Sequence, residues 1–207
     1  MIVNNQLYFI HIPRTGGRFI KSLLKKNFFT SEESSLTTFS NDYPDLLKSH
    51  LHYPLYLKEN ISNYFTIIRD PFEKFMSSIK LEIQRNNKLL EHLTETKLFN
   101  QFVEEHRGDK SYHNNWYRPQ YEFIDSNTKT WHYSLGFNQS FFNWLKQNCD
   151  LNIKNTDANF EQLDFETKTT VYDNVDISLI KKNVYLYYKK DLILSQTNLT
   201  DLRLQGY

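Results

Sequence analysis

Leu7-Tyr8-Phe9-Ile10-His11-Ile12-Pro13-Arg14-Thr15-Gly16-Gly17-Arg18-Phe19-Ile20 is the stretch on which the fold turns. Leu7 to Ile12 is a short apolar run rich in β-formers, which predicts a buried strand. Phe19, Ile20, Leu23 and Leu24 follow at helical spacing and predict a helix with one apolar stripe, carried to about residue 30. Between them lies Pro13-Arg14-Thr15-Gly16-Gly17. The chain has only five glycines, and two of them are adjacent here. A strand, a glycine turn and a helix in that order form an anion site. Glycine lets the backbone approach a ligand closely, and the helix N-terminus presents free N–H groups and a positive dipole end. Arg14 adds a planar charged fork suited to phosphate or sulfate oxygens. The bland alternative is a tight turn with a solvated arginine.

The Walker pattern is absent, because no lysine follows the glycines and no hydroxyl residue occupies the magnesium position. That argues against an ordinary ATPase or GTPase. Pro13, Thr15, Gly16 and Gly17 instead resemble the 5′-phosphosulfate loop of sulfotransferases that use 3′-phosphoadenosine 5′-phosphosulfate (PAPS). The resemblance is to the carbohydrate branch, Golgi-type family 2, whose loop typically reads Pro-Lys-Thr-Gly-Gly/Ser-Thr-Ser. Arg14 stands where that loop has lysine, and Arg18 and Phe19 stand where it has a hydroxyl pair.

A second apolar run, Tyr64-Phe65-Thr66-Ile67-Ile68, leads directly into Arg69-Asp70-Pro71. Asp70 is suited to cap a helix whose first residue is Pro71. Phe72, Phe75, Met76, Ile79 and Ile83 then give that helix a core-facing stripe. Arg69 thus falls at the carboxyl end of a strand, where open α/β sheets bind ligands. Arg69-Asp70-Pro71, with Ser77 eight residues after the arginine, resembles the family's 3′-phosphate motif Arg-Asp-Pro-x-x-Arg-x-x-Ser. Lys74 replaces the second arginine.

Between the two motifs lies Ser49-His50-Leu51-His52-Tyr53-Pro54. On an extended segment the two imidazoles would point the same way. They could form a metal pair, although no Cys, Asp or Glu stands at ligand spacing. They could be ordinary histidines, or one could be a general base. The segment resembles the family's Gly-His-x-Pro-Tyr-Gly, which implies His50 as the base and makes His52 the weaker candidate. Further on, Trp116-Tyr117-Arg118-Pro119-Gln120 resembles the His-Trp-Arg-Pro-Gln segment of some relatives, with Tyr117 inserted. Arg118 is equally suited to reach a phosphate or to tie loops together. Where relatives often place a glutamate near the end of a later strand, this chain has Ser134.

Length and charge set bounds on these readings. The 207 residues suffice for one domain, 1–207, with a real core. A formal net charge of +1 makes nucleic acid an unexpected partner. The single cysteine, Cys149, excludes a disulfide within the chain. No run of about 18 apolar residues occurs, so no membrane span is expected. A first strand beginning near residue 6 leaves no room for a secretory signal, which suggests a soluble cytoplasmic enzyme.

The remaining elements expected are a helix over Leu89–His106 ending at Gly108, a strand over Thr130–Phe137 and a helix over Gln139–Asn148. An irregular polar stretch spans 150–175. A final helix capped by Asp176 or Ser178 runs to about Leu194, followed by a loosely held tail over 195–207.

Strand–helix alternation predicts a three-layer α/β domain with a mostly parallel sheet, and the resemblance implies the P-loop-like sulfotransferase fold. It also implies transfer of a sulfuryl group from PAPS to an acceptor hydroxyl on a carbohydrate, releasing 3′-phosphoadenosine 5′-phosphate, with no metal required. His50 and Arg14 would be catalytic. Arg14, Thr15, Gly16, Gly17, Arg18, Phe19, Arg69, Ser77 and Arg118 would hold the nucleotide. The alternatives are a silent nucleotide- or glycan-binding relative and a small-molecule kinase. The acceptor and the oligomeric state are not legible.

Overall fold

The structure, a computed structural model, describes residues 1–31, 63–83, 89–107, 115–154 and 175–207. Its centre is a five-stranded sheet in the order β3-β1-β2-β4-β5. The strands are β1 (Ile2–Val3), β2 (Leu7–Ile10), β3 (Thr30–Ser31), β4 (Tyr64–Ile68) and β5 (Lys129–His132). β2, β4 and β5 run parallel, with Phe9 opposite Phe65 and Ile67 opposite Trp131. β1 is antiparallel to both β2 and β3, so it alone runs against the other four. The molecule is therefore α/β with a mostly parallel sheet.

β4 is buried along its whole length, which is why it reads as a continuous apolar run rather than an alternating one. Its period-2 side chains supply two different cores. Phe9, Phe65, Ile67 and Trp131 face one way. They meet Ile20, Leu23 and Leu24 of α1 (Gly17–Asn27) and Phe141, Trp144 and Leu145 of α5 (Gln139–Cys149). Tyr8, Ile10, Tyr64 and Ile68 face the other way, against Phe123 and Leu194. A third cluster joins α2 (Pro71–Ile83), α3 (Leu89–Leu93), α4 (Thr96–His106) and α6 (Ile177–Tyr187) through Phe75, Leu90, Leu93, Phe99, Val103, Ile180 and Val184.

Several expectations change. β2 ends at Ile10 rather than Ile12, and α1 ends at Asn27 rather than near residue 30, where Thr30 and Ser31 form β3. The helix expected over 89–106 is two helices, interrupted at Thr94, whose hydroxyl and N–H both turn back to the Glu91 carbonyl. The expected Gly108 cap lies outside the described residues. The strand expected over 130–137 ends at His132. Tyr133–Leu135 forms a 3₁₀ turn, and Gly136 takes a positive φ of 73°. The last helix is likewise two. α6, capped by Asp176, ends before Tyr188, and α7 (Lys189–Leu204) then runs through most of the supposed tail. Asp191, Ser195 and Leu202 are buried on α7, and the Tyr207 ring lies edge-on to Trp131, 5.7 Å between centroids.

The inner face of α7 is largely polar, which is why apolar periodicity stopped at about Leu194 and left 195–204 to the tail. Asp191, Ser195, Asn198 and Leu202 recur at helical spacing. The first three bond the Gln120 and Tyr121 N–H groups, the His132 imidazole and Thr130 respectively. Among the described residues, no helix is long and apolar enough to cross a membrane. Cys149 is buried, and burial pushes its thiol up to about 12, so it is unreactive at neutral pH.

Candidate anion-binding site

The carboxyl ends of the three parallel strands carry the candidate residues. β2 leads into the loop 11–16, where Arg14 (φ 68°) and Gly16 (φ 93°) both adopt the left-handed conformation. Thr15 is buried and donates its hydroxyl to the Ile12 carbonyl at 2.9 Å, which closes the turn. Gly16 caps α1 without a side chain, and its carbonyl accepts the N–H groups of Phe19 and Ile20. No acidic residue sits in the first turn of α1, so its own sequence leaves the positive end of the dipole unopposed.

Gly17 is required by space and Gly16 by its left-handed backbone, φ 93°. A Cβ on Gly17 would fall 1.8 Å from Cδ2 of the His11 ring, and one on Gly16 would fall 2.8 Å from the Phe137 ring. Gly17→Ala is therefore expected to displace His11 and lower stability by about 1–3 kcal/mol, the usual cost of overpacking. Urea unfolding checks this. An unchanged midpoint would mean that the loop accommodates the methyl group.

The two motifs meet. Arg14 donates from Nη2 to the Ser77 carbonyl at 2.6 Å and from Nε to the Ser77 hydroxyl at 3.2 Å. Its guanidinium lies 5.2 Å from the centroid of the Trp116 ring. Arg69 reaches back, with Nη1 3.4 Å from the Arg14 carbonyl, and stacks over Tyr133 at 4.2 Å. Glu73, in the first turn of α2, accepts from Arg69 Nε at 3.0 Å and is its counter-ion. Two guanidiniums, one hydroxyl and a helix N-terminus thus share one edge of the sheet, a donor set suited to oxyanions.

Asp70 caps α2 as expected. Its Oδ1 accepts from the Phe72 and Glu73 N–H groups at 2.9 and 3.1 Å. Its Oδ2 accepts from the Tyr185 hydroxyl, and burial together with that carboxylate pushes the phenol up to about 12.

Other expected residues take different positions. Lys74 does not stand in for the motif's second arginine. It is buried, and its amine donates to the Trp116 and Arg118 carbonyls at 2.6 and 3.2 Å. Burial lowers its pKa to about 8. Arg118 bonds Asn115 and Glu122, which belong to its own turn and the turn that follows. Arg18 is exposed, and Phe19 stacks on Phe137 with centroids 4.9 Å apart. His50 and His52 lie outside the described residues.

Gln120 is a contributor that sequence reasoning missed. Its amide oxygen accepts from the Arg69 N–H at 2.9 Å, and its amide nitrogen donates to the Arg69 carbonyl at 2.7 Å. The backbone beneath the arginine is thereby clamped from both sides. Asp191 in turn holds the Gln120 and Tyr121 N–H groups. Tyr133 and Glu73 were missed as well, because their partnership with Arg69 follows from the turn after β5 and from helix spacing.

Among the described residues, no group of three or more His, Cys, Asp or Glu side chains could hold a metal ion. Comparison of the chain with family models, curated proteins and solved structures gives no match.

Proposed function

We propose that this chain is a PAPS-dependent sulfotransferase with a P-loop-like sulfotransferase fold, acting on a hydroxyl of a carbohydrate. The observation that carries the reading is the contact of Arg14 with Ser77 across 63 residues of sequence. It joins the glycine loop to the Arg-Asp-Pro helix, the two segments that would grip the two ends of a bisphosphorylated nucleotide. The donor set also fits, since fixed guanidiniums and helix N–H groups bind phosphate and sulfate oxygens without a metal.

On this reading Arg14 leaves Ser77 and turns to the transferred group. Together with the backbone amides of Thr15 to Arg18 it stabilises charge gathering on the leaving phosphate and the peripheral oxygens. Arginine stays protonated at working pH, so it acts by charge rather than as a proton donor. Arg69 and Ser77 hold the 3′-phosphate, and Arg69 exchanges its Glu73 partner for the ligand. His50 takes the acceptor proton as the hydroxyl oxygen attacks sulfur in line.

Transfer of labelled sulfate from PAPS to a panel of sugar acceptors tests the reading. Label on an acceptor is expected, with loss of most transfer in His50→Ala. The altered loop, with Arg14, Arg18 and Phe19 where the sulfotransferase loop has a lysine and a hydroxyl pair, favours a second reading, a nucleotide- or glycan-binding relative without turnover. Nucleotide binding without transfer to any acceptor would select that second reading.

A further inference from the structure

On the same edge of the sheet, where β5 ends, a serine and a histidine form a second chemical unit. His132 is 3 % exposed, whereas Ser134 is exposed. The Ser134 hydroxyl lies 2.7 Å from Nδ1 of His132, and the Ser134 N–H also points at Nδ1, at 3.2 Å. An N–H can only donate, so Nδ1 carries no proton and Nε2 carries it. Nε2 then donates to the hydroxyl of Ser195 on α7 at 2.8 Å, where Ser195 is buried. With Nδ1 an acceptor, the Ser134 hydroxyl donates to it. An exposed hydroxyl thus has its proton directed at an imidazole lone pair, and a third residue fixes the ring. This is the geometric signature of an activated nucleophile.

We propose that Ser134 is a nucleophile activated by His132 and oriented through Ser195, and that it accepts the acyl group of an activated ester. The Ser134 oxygen bonds to the ester carbonyl carbon while its proton passes to Nδ1 of His132. The carbon–oxygen bond to the leaving group then breaks as Nδ1 passes that proton on to the departing oxygen, which leaves acyl-serine, the released alcohol or phenol and a neutral imidazole whose Nδ1 again accepts the Ser134 N–H. This activity is separate from sulfuryl transfer and does not depend on it. The imidazole is neutral at working pH. Burial lowers its pKa, and Arg203 of α7 acts in the same direction, against the opposing charges of Glu73 and Asp70.

The full chain treated with p-nitrophenyl acetate tests this. One equivalent of p-nitrophenolate is expected in a burst, with one acetyl group mapped to Ser134. Ser134→Ala should lose the burst. His132→Gln should slow it about 10²-fold, the usual range for a lost general base. The burst rate should fall as acid protonates the imidazole. If His132→Gln does not fold, Ser134→Cys provides the check. Its thiol should be alkylated by iodoacetamide faster at pH 7 than a free cysteine, and Cys149 should stay unmodified. Absence of acetyl on Ser134, an unchanged rate in His132→Gln, or ordinary reactivity of the new thiol would overturn the assignment.

Discussion

Arg14→Ala is expected to reduce sulfuryl transfer by about 10²–10³-fold, the loss seen when one fixed donor to developing charge is removed. Two properties of the site give this change a large expected effect on the proposed activity. Arg14 is the side chain that bridges the loop and Ser77, through two hydrogen bonds of 2.6 and 3.2 Å. It also occupies a left-handed backbone position, φ 68°, in the turn whose amides open onto α1. Arg14→Lys should keep a measurable fraction of activity, because the charge survives while the two-point fork is lost. Steady-state kinetics on both variants, with circular dichroism to confirm folding, make the test. Complete inactivity of the lysine variant alongside intact nucleotide binding would show that charge is not what Arg14 supplies.

The largest expected effect on stability is at Asp191. Its carboxylate, 1 % exposed, accepts the Gln120 N–H at 2.7 Å and the Tyr121 N–H at 3.0 Å. Asp191→Ala would strip the buried Gln120 N–H and the partly buried Tyr121 N–H of their acceptor and remove a charge that supports the buried Lys74 amine. A cost of about 2–5 kcal/mol is expected by urea unfolding. Arg69 should also loosen, since Gln120 clamps its peptide.

The pH dependence has a definite sign. Burial raises Asp191 from 3.8 to about 6, so between those values the folded chain holds the extra proton. The stability contributed by this titration is full below about pH 4 and is lost as pH rises through about 6. Lys74, lowered from 10.5 to about 8, behaves oppositely, and its contribution is lost as pH falls through about 8. Asp191→Asn should remove the pH 4–6 component from the stability curve. Persistence of that component in the variant would assign it to another group.

The parallel strands and α2 were legible because their signals are local. β4 is a continuous apolar run since both its faces are covered, and Asp70 and Pro71 mark the start of the next helix in the sequence itself. α7 was legible only to about Leu194, because hydrophobic periodicity does not carry a helix onward when its inward face turns to Ser195 and Asn198. The early end of β5 was hidden for a related reason. Tyr133 and Leu135 are strand-formers, and the 3₁₀ turn is set by the Ser134 N–H bonding back to His132.

At the site, the sequence placed Arg14 and Arg69 where strands run into helices, as the structure has them, but their mutual contact depends on packing between distant segments. The misreading of Lys74 has the same origin. Its position in the motif says nothing of the Trp116 and Arg118 carbonyls that draw it into the core.

The proposed recognition of a bisphosphorylated nucleotide has a direct test in thermal shift. 3′-Phosphoadenosine 5′-phosphate at about 100 times its dissociation constant should stabilise the chain by about 2.7 kcal/mol. That corresponds to a rise in Tm of roughly 5–10 °C for a chain of this size. ADP, which lacks the 3′-phosphate, should do markedly less at equal concentration, and Arg69→Ala should erase the difference. Equal shifts with the two nucleotides, or a difference that survives in Arg69→Ala, would contradict the assignment of Arg69 and Ser77 to a 3′-phosphate.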